Sequence, residues 1–263
     1  MNKAVNEKNV ELWSGFSELY NDSRPKPPKI INTTILSWLN RNPEIVVDVG
    51  CGTGLSTIIW EDTVKKIVGI EPNDDMRATA EKNLNSDRIT FLKGVSNETG
   101  IPSGYVDILT VSQAFHWMDI DSTLNEFHRI LKPDGVLAIY DFILPPVMGW
   151  EIEEAFLDLR MKCSEIVYSQ EVPPVHNGKS SYNDIIKAFG KFIYSRETMF
   201  HGFERWPLQK VIGFVVNISN ADFAMKMDPS IKTDVDIFLN LVKAHCADEM
   251  ELVFPYKMVM AVK

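Results

Sequence analysis

Residues 45–54 read Ile-Val-Val-Asp-Val-Gly-Cys-Gly-Thr-Gly, and this stretch decides the fold of the protein. Its first half is rich in β-branched residues, which is typical of a buried parallel strand, and it leads directly into three glycines. A turn from strand to helix favours glycine because positive φ angles and the close approach of a ligand both leave no room for a Cβ atom. The stretch therefore predicts a buried strand that ends at a ligand site.

Strands alternate with helices on both sides of this stretch, over residues 43–144. Apolar runs predict further strands at 66–70, 89–92, 106–111 and 136–140, and helical spacing predicts helices at 55–62, 74–84 and 122–131. Alternation of this kind requires crossover connections, so we expect an α/β fold with a Rossmann-like, doubly wound and mostly parallel sheet.

The regular alternation stops after residue 144. Residues 145–199 contain two helical patterns and predict a helical cap insertion, and residues 252–262 predict an antiparallel strand at the sheet edge. We expect one domain over residues 1–263, with a core of about 30–144 and 200–263. Aromatic and methionine side chains of the cap could line a ligand pocket or form the cap's own small core; they are Trp150, Phe156, Met161, Tyr168, Tyr182 and Phe189.

Composition excludes several classes of protein. The 263 residues carry 27 Lys and Arg against 36 Asp and Glu, a net charge of −9, which disfavours binding to nucleic acid and to anionic membranes. The three cysteines form no close pair, so neither a disulfide framework nor a metal site is expected. Residues 1–13 lack the apolar stretch of a signal peptide, and no apolar run is long enough to span a membrane, so we predict a cytoplasmic protein.

A second carboxylate follows the glycine turn at a distance that suits a nucleoside ligand. Glu71 ends the second predicted strand, 21 residues after Gly50, where a carboxylate can accept hydrogen bonds from ribose hydroxyls. A dinucleotide turn would need glycine at the position of Leu55. Carboxylates at Asp48 and Glu71 favour a ligand with a cationic amino-acid portion, and S-adenosylmethionine fits. The alternative is a glycine turn without a ligand.

Four segments of the chain resemble a known family. Residues 46–54, VVDVGCGTG, are similar to the first motif of class I S-adenosylmethionine-dependent methyltransferases, and residues 69–76, GIEPNDDM, are similar to the second. Residues 111–117, VSQAFHW, and 20–28, YNDSRPKPP, resemble a small-molecule subset near the type 11 group and the trans-aconitate methyltransferases. The resemblance covers roughly residues 16–142.

The resemblance implies a cofactor site built from several segments. The glycine turn with Asp48 would hold the methionine portion, Glu71 the ribose, and the turn after the third strand the adenine. That turn departs from many relatives, because Asn97 stands where they carry an acidic residue. The implied residues are Tyr20, Arg24, Asp48, Gly50, Cys51, Gly52, Gly54, Glu71, Pro72, Met76, Val95, Ser96, Asn97, Gln113, Ala114 and Trp117.

Within that set, the remaining roles follow the same resemblance. Pro72 and Met76 would border the adenine. Gln113 and Ala114 would touch the amine and carboxylate of the methionine portion. Tyr20 and Arg24 would close the N-terminal segment over the cofactor, and Trp117 would form a wall beside it.

Two residues past the ends of strands are candidates for catalysis. His116 is a candidate general base because a histidine side chain titrates near neutral pH, and the alternative is that it only shapes the pocket. Asp141 could contact the substrate or cap the next element. We therefore expect methyl transfer from S-adenosylmethionine to a small-molecule acceptor. The alternatives are an inactive cofactor-binding protein and an NAD-dependent oxidoreductase, which Leu55 argues against.

Overall fold

The computed structural model describes residues 10, 14–15, 17–169, 181–246 and 248–263, so most of the stretch 1–13 lies outside it. One seven-stranded sheet has the order β3-β2-β1-β4-β5-β7-β6. The strands are β1 Ile45–Val49, β2 Lys66–Ile70, β3 Ile89–Leu92, β4 Val106–Ser112, β5 Leu131–Phe142, β6 Tyr194–Pro207 and β7 Glu249–Val262. Strands β1 to β5 pair in parallel, and β7 runs antiparallel to both β5 and β6. The predicted mostly parallel α/β sheet is confirmed, with β7 one place in from the edge strand β6.

Nine α-helices lie within the described ranges. They are α1 Ser17–Ser23, α2 Ile30–Leu36, α3 Asp74–Asn83, α4 Ile120–Ile130, α5 Trp150–Tyr168, α6 Tyr182–Phe189, α7 Leu208–Ile218, α8 Ala221–Met227 and α9 Lys232–His245. The helix predicted at 55–62 is wrong, because that segment forms turns around a short 3-10 helix, Ile58–Trp60. None of the described helices combines the length and the apolar character needed to cross a membrane.

Two hydrophobic cores cover the two faces of the sheet. Successive residues of a strand point to opposite faces, so Val46 packs into one core and its neighbour Val47 into the other. The first core includes buried residues of α2, α5, α7 and α9, and the second includes those of α4 and α6. Both faces of β1 are therefore covered, as its content of β-branched apolar residues indicated.

The segment predicted as a cap is divided between these two cores. Phe156 of α5 is fully buried in the first core, where it packs on Phe238 of α9 with 6.4 Å between the ring centroids. Tyr182 of α6 belongs to the second core. Strand β6 begins at Tyr194, within the range 145–199 that was predicted as the cap. The helices of 145–199 are thus bound to the main sheet because their apolar faces complete its two cores.

Candidate functional site

The glycine turn lies at the carboxyl edge of the parallel strands, directly after β1. Gly50, Gly52 and Gly54 all have positive φ angles, of 70°, 55° and 85°. A Cβ atom on Gly50 would lie 2.7 Å from the Cβ atom of Ala114, which follows β4. Glycine is therefore required both by the backbone conformation of the turn and by its close contact with the loop after β4.

Asp48 lies inside the sheet beneath this turn and is fully buried. Its Oδ2 atom accepts hydrogen bonds from the hydroxyls of Ser56 and Thr57, at 2.7 and 2.8 Å, and Oδ1 accepts one from Thr110 at 2.8 Å. Burial raises the pKa of Asp48, and the three hydroxyls partly offset that effect. The carboxylate therefore holds the segment after the turn in place, and the contact with a ligand expected of Asp48 stays a prediction.

Glu71 connects the glycine turn to the start of α3. Its Oε2 atom accepts a hydrogen bond from the backbone N–H of Gly52, and Oε1 accepts one from the N–H of Asn73, each at 2.9 Å. Burial raises the pKa of Glu71, against the effect of these two hydrogen bonds. A carboxylate has about four acceptor positions, so two remain for other donors.

The residues predicted to surround adenine lie around α3 and the turn after β3. Asn73 caps α3 by accepting a hydrogen bond from the N–H of Met76, whose side chain is buried, while Pro72 is half-buried. Val95 forms an isolated bridge with Glu98 that closes the turn after β3.

Within that turn, the hydroxyl of Ser96 lies 2.7 Å from the hydroxyl of Thr123 on α4. Asn97 is exposed. The structure thus gives Ser96 a partner on α4 and leaves the Asn97 side chain accessible at the turn.

A cleft with an open volume of about 510 Å³ lies above the glycine turn. It brings together residues from the N-terminal segment, the turn, the end of β4, β5 and β7. The lining residues are Tyr20, Arg24, Pro25, Pro27, Gly50, Cys51, Gly52, Thr53, Leu55, Ser56, Ser112, Gln113, Phe142 and Tyr256. The predicted residues Tyr20, Arg24 and Gln113 therefore share one cavity with the turn, whereas Glu71 and Met76 are not among its lining residues.

Phe142 and Tyr256 also line this cleft, and neither was among the site residues predicted from the sequence. They are paired in register on β5 and β7, with 6.2 Å between their ring centroids. Phe142 comes directly after Asp141, at the end of the predicted fifth strand. This position in the sequence could have indicated that Phe142 belongs to the site. No local pattern indicates Tyr256, because its position depends on the pairing of strands more than 100 residues apart.

A buried polar cluster lies on the other side of β5. Nδ1 of His116 is 4.0 Å from Oδ2 of Asp141, and both side chains are largely buried. The hydroxyl of Tyr182 donates a hydrogen bond to the same Oδ2 atom at 3.1 Å. Burial and the neighbouring carboxylate raise the pKa of Tyr182, so this hydroxyl keeps its proton at neutral pH. The two catalytic candidates are thus neighbours, and α6 adds Tyr182 to them.

The remaining predicted aromatic and methionine residues differ in their exposure. Trp117 is half-buried, and its ring lies 5.0 Å from the ring of His116. Among the aromatic and methionine candidates after residue 145, Trp150 and Met161 are 73% and 57% exposed, so they do not line a closed pocket. No group of three or more His, Cys, Asp or Glu residues in the described ranges is arranged to hold a metal ion.

Comparison with protein families gives a match between residues 47–139 and the family described as a methyltransferase domain. Comparison with curated proteins gives the "Probable S-adenosylmethionine-dependent methyltransferase CRG1" of Saccharomyces cerevisiae, 30% identical over 131 residues. That match covers 48% of this chain and 45% of the yeast protein. The chain thus spans about half the length of the curated relatives it matches.

Solved structures give matches over most of the chain. A methyltransferase structure from Anaeromyxobacter dehalogenans has a TM-score of 0.67 at 18% identity, covering 91% of this chain and 97% of that one. A phosphoethanolamine N-methyltransferase of Haemonchus contortus, in complex with S-adenosylhomocysteine, has a TM-score of 0.56 at 15% identity, covering 98% of this chain and 60% of that one. At these identities, the structures bear on the fold alone.

Proposed function

We propose that this chain, whose residues 47–139 match a methyltransferase domain, is a class I S-adenosylmethionine-dependent methyltransferase that transfers a methyl group to a small-molecule acceptor. S-adenosylmethionine is its cofactor. The observation that carries the proposal is the position of Glu71, whose carboxylate lies beside the glycine turn at the carboxyl edge of the sheet. In open α/β sheets this edge is where nucleoside ligands bind.

The residues present fit this cofactor. Glu71 retains acceptor positions for ribose hydroxyls, as described above. The methionine portion would bind in the cleft at Gly52 and Gln113, where a Cβ atom on Gly52 would have no described neighbour within 4 Å. When bound, the cofactor supplies a methyl group already activated by a positively charged sulfur. The protein therefore has to bind, orient and exclude water, and it needs no strong activating group of its own.

The position of Asp48 indicates an indirect contribution to binding. Its carboxylate holds Ser56 and Thr57, which follow the turn, and Thr110 of the neighbouring strand β4. These hydrogen bonds keep the turn and β4 in one fixed arrangement. We expect the backbone of the turn, rather than the Asp48 side chain, to contact the methionine portion.

A small acceptor is supported by the enclosure of the cleft and by the charge of the chain. The N-terminal segment covers one side of the cleft through Tyr20, Arg24 and Pro25, and this enclosure suits a compact ligand better than a polymer. A net charge of −9 opposes binding to nucleic acid. These observations support a compact acceptor.

The cluster around Asp141 supports a role in proton transfer. If the acceptor atom carries a proton, His116 would take it while the acceptor's electron pair forms the new bond to carbon and the carbon–sulfur pair stays on sulfur. Asp141 lies 4.0 Å from His116 and would orient the imidazole, with Tyr182 fixing the carboxylate. The loop that bears His116 packs on the glycine turn through Ala114.

Binding of S-adenosylhomocysteine, measured by isothermal titration calorimetry, tests the proposal. We expect saturable heat with the wild-type protein and none with NAD. The variant Glu71→Ala should bind at least 10-fold more weakly, while the exposed control Glu81→Ala should bind like the wild type. Absence of binding to the wild type would refute the cofactor site. Binding without turnover on a broad panel of hydroxyl, amine, thiol and carboxylate acceptors would support an inactive cofactor-binding protein instead.

A further inference from the structure

The outer side of β6 is an edge of the sheet. β6 pairs with β7 on its inner side, and no other strand of the described ranges pairs with it. Its 14 residues follow one continuous register with β7, without a bulge. Proteins usually protect such an edge with lysine, proline, a bulge or a covering element, because its N–H and C=O groups can otherwise pair with another chain. β6 contains no lysine, and its one proline, Pro207, is the last residue, so the edge is suited to strand pairing.

Hydrogen bonding to β7 determines which residues of β6 face outward. The N–H of Leu208, directly after β6, donates to the C=O of Asp248, directly before β7. Backbone groups alternate in direction along a strand, so even-numbered residues point their N–H and C=O groups at β7 and odd-numbered residues point them outward. Pro207 has no N–H and occupies an outward position, as expected at an edge. The outward residues that carry an N–H are Ser195, Glu197, Met199, His201, Phe203 and Arg205.

The odd-numbered residues of β6 also share one face of the sheet, because side chains alternate between the two faces. Phe203 on this face is 80% exposed, more than any other large apolar side chain in the described ranges, and Met199 is 55% exposed. On β7, the half-buried Val253 and Pro255 lie opposite Phe203 and His201. The second half of β6 therefore presents apolar surface to solvent next to its open edge.

The sequence of β6 is complementary to itself in one antiparallel register. Two identical strands related by a two-fold axis pair antiparallel, and outward residues must then lie opposite outward residues. With the axis at His201, Glu197 lies opposite Arg205 of the partner subunit. In the same register, Met199 lies opposite Phe203 of the partner subunit. Moving the axis by one residue in either direction loses both pairs on this face.

The charge pairs of this register extend over two copies of the chain. Within one copy, Nζ of Lys257 on β7 lies 3.0 Å from Oε2 of Glu197, and Arg205 forms an ion pair with Glu251 of β7. Placing Glu197 beside Arg205 of the partner subunit gives a row of four side chains whose charges alternate in sign across four strands. Opposite charges that face each other stabilise neighbouring strands. The charges therefore favour a second copy of this chain as the partner of β6.

We propose that the chain forms a two-fold symmetric dimer in which β6 pairs antiparallel with β6 of a second copy, centred on His201. The two seven-stranded sheets then form one continuous sheet, and the edge at β6 is removed from solvent. None of the described residues that line the cleft lies on β6, so the interface and the cleft use different residues. The inference goes beyond the proposed function and does not depend on it.

Sedimentation velocity of the wild-type protein over a range of concentrations tests for the dimer. The chain has a mass of 29.9 kDa, and we expect a reversible, concentration-dependent shift to a species of twice that mass. The measurement also gives the Kd of association, against which variants are compared. A single species of 29.9 kDa up to the highest soluble concentration would overturn the proposal.

The variant Phe203→Lys tests whether the dimer uses β6. It replaces an exposed apolar side chain with an edge lysine, which would lie opposite Met199 of the partner subunit, and should raise the Kd of association at least about 10-fold. Ile237→Lys on α9, where the side chain is 65% exposed, is the matched control and should associate like the wild type. Both variants should bind S-adenosylhomocysteine like the wild type. An unchanged Kd of association in Phe203→Lys would overturn the proposal.

The variant His201→Cys tests the register separately. The Cα atoms of a directly opposed, hydrogen-bonded pair are about 5.5 Å apart, which a disulfide can span. Oxidation with copper(II)–phenanthroline should therefore give a covalent dimer on a non-reducing gel. Arg205→Cys is the matched control, because in this register its two copies are separated along the strand by eight residues, or about 27 Å.

The wild-type protein completes this comparison, because its three cysteines are buried. It should remain uncrosslinked under the same oxidation. Crosslinking of neither variant, or equal crosslinking of His201→Cys and Arg205→Cys, would overturn the proposal.

Discussion

The Glu71 carboxylate and the backbone N–H of Gly52 are joined by a hydrogen bond of 2.9 Å, which links the end of β2 to the glycine turn after β1. The other carboxylate oxygen accepts from the N–H of Asn73, at the start of α3. One side chain therefore sets the distance between the turn and the helix that begins beside it. In the proposed function, the same side chain also binds ribose, so its structural and binding roles can be separated only by measuring both.

Replacement of Glu71 by glutamine should affect stability and binding together. In Glu71→Gln one carboxylate oxygen becomes an NH2 group, which cannot accept from both Gly52 and Asn73. We expect a loss of about 1–3 kcal/mol in the free energy of unfolding. We also expect about 10-fold weaker binding of S-adenosylhomocysteine. Urea unfolding and calorimetry give the two values. Glu81→Gln, on the exposed side of α3, should change neither.

The glycines of the turn should differ in their tolerance of alanine. Gly50→Ala places a methyl group 2.7 Å from the Cβ atom of Ala114 and also strains a positive φ angle. We expect a loss of about 2–4 kcal/mol in the free energy of unfolding, from overpacking and strain combined. A Cβ atom on Gly52 would have no described neighbour within 4 Å, so only strain of about 1 kcal/mol is expected there.

Gly100→Ala is the control for this pair. It has a positive φ angle of 72° and open space, and it lies outside the glycine turn. Urea unfolding should give a loss similar to that of Gly52→Ala, whereas calorimetry should show weaker cofactor binding for Gly52→Ala alone. Equal stability of the Gly50 and Gly52 variants would contradict the close contact with Ala114.

Variants in the cluster around Asp141 should lower turnover with little effect on cofactor binding. His116→Gln should lower kcat about 100-fold or more if the imidazole accepts the proton, with little change in the Kd of S-adenosylhomocysteine. Tyr182→Phe removes the hydroxyl bound to Asp141 and keeps the ring on Phe115, so a smaller loss of about 10-fold in kcat is expected. Kinetics with an acceptor from the panel, together with calorimetry, provide the test. Equal losses in kcat and in cofactor affinity would indicate a packing role for His116.

Glu126 allows a prediction about pH at a residue that does not line the cleft. It is largely buried, which raises the pKa of its carboxyl group, but hydrogen bonds from Arg129 and Thr99 outweigh that effect and hold the pKa at about 2. Because the folded-state pKa lies below the ordinary value of 4.5, the ionised carboxylate stabilises the fold above pH 4.5. That contribution is lost as the pH falls from 4.5 towards 2.

The variant Glu126→Gln measures this contribution. At pH 7 its free energy of unfolding should be lower than that of the wild type by about 1–2 kcal/mol, allowing for screening by solvent. The difference should shrink at pH 4 and again at pH 3, as followed by urea unfolding. A difference independent of pH would mean that the charge of Glu126 is not what stabilises this contact. Binding of S-adenosylhomocysteine at pH 7 should be the same in both proteins.

The predictions from the sequence were correct where they depended on residues close together in the chain. The strand Ile45–Val49 and the turn after it were predicted correctly because buried β-branched residues and glycines express their preferences over a few positions. The helix predicted at 55–62 failed because the hydroxyls of Ser56 and Thr57 bind Asp48, an interaction between neighbours in space that apolar spacing does not reveal.

The sequence by itself therefore determined the parallel sheet, the glycine turn and the spacing of that turn from Glu71, because each depends on short-range preferences and fixed strand periodicity. The tertiary structure alone decided that Arg24 meets Asn217 across 193 residues of chain, and that Tyr182 reaches Asp141 from α6. It also decided that the helices α5 and α6 contribute buried side chains to the two main cores. These contacts arise from the packing of elements that lie far apart in the chain. The same local pattern is compatible with many packing arrangements, and the burial of apolar surface over the whole molecule selects one of them.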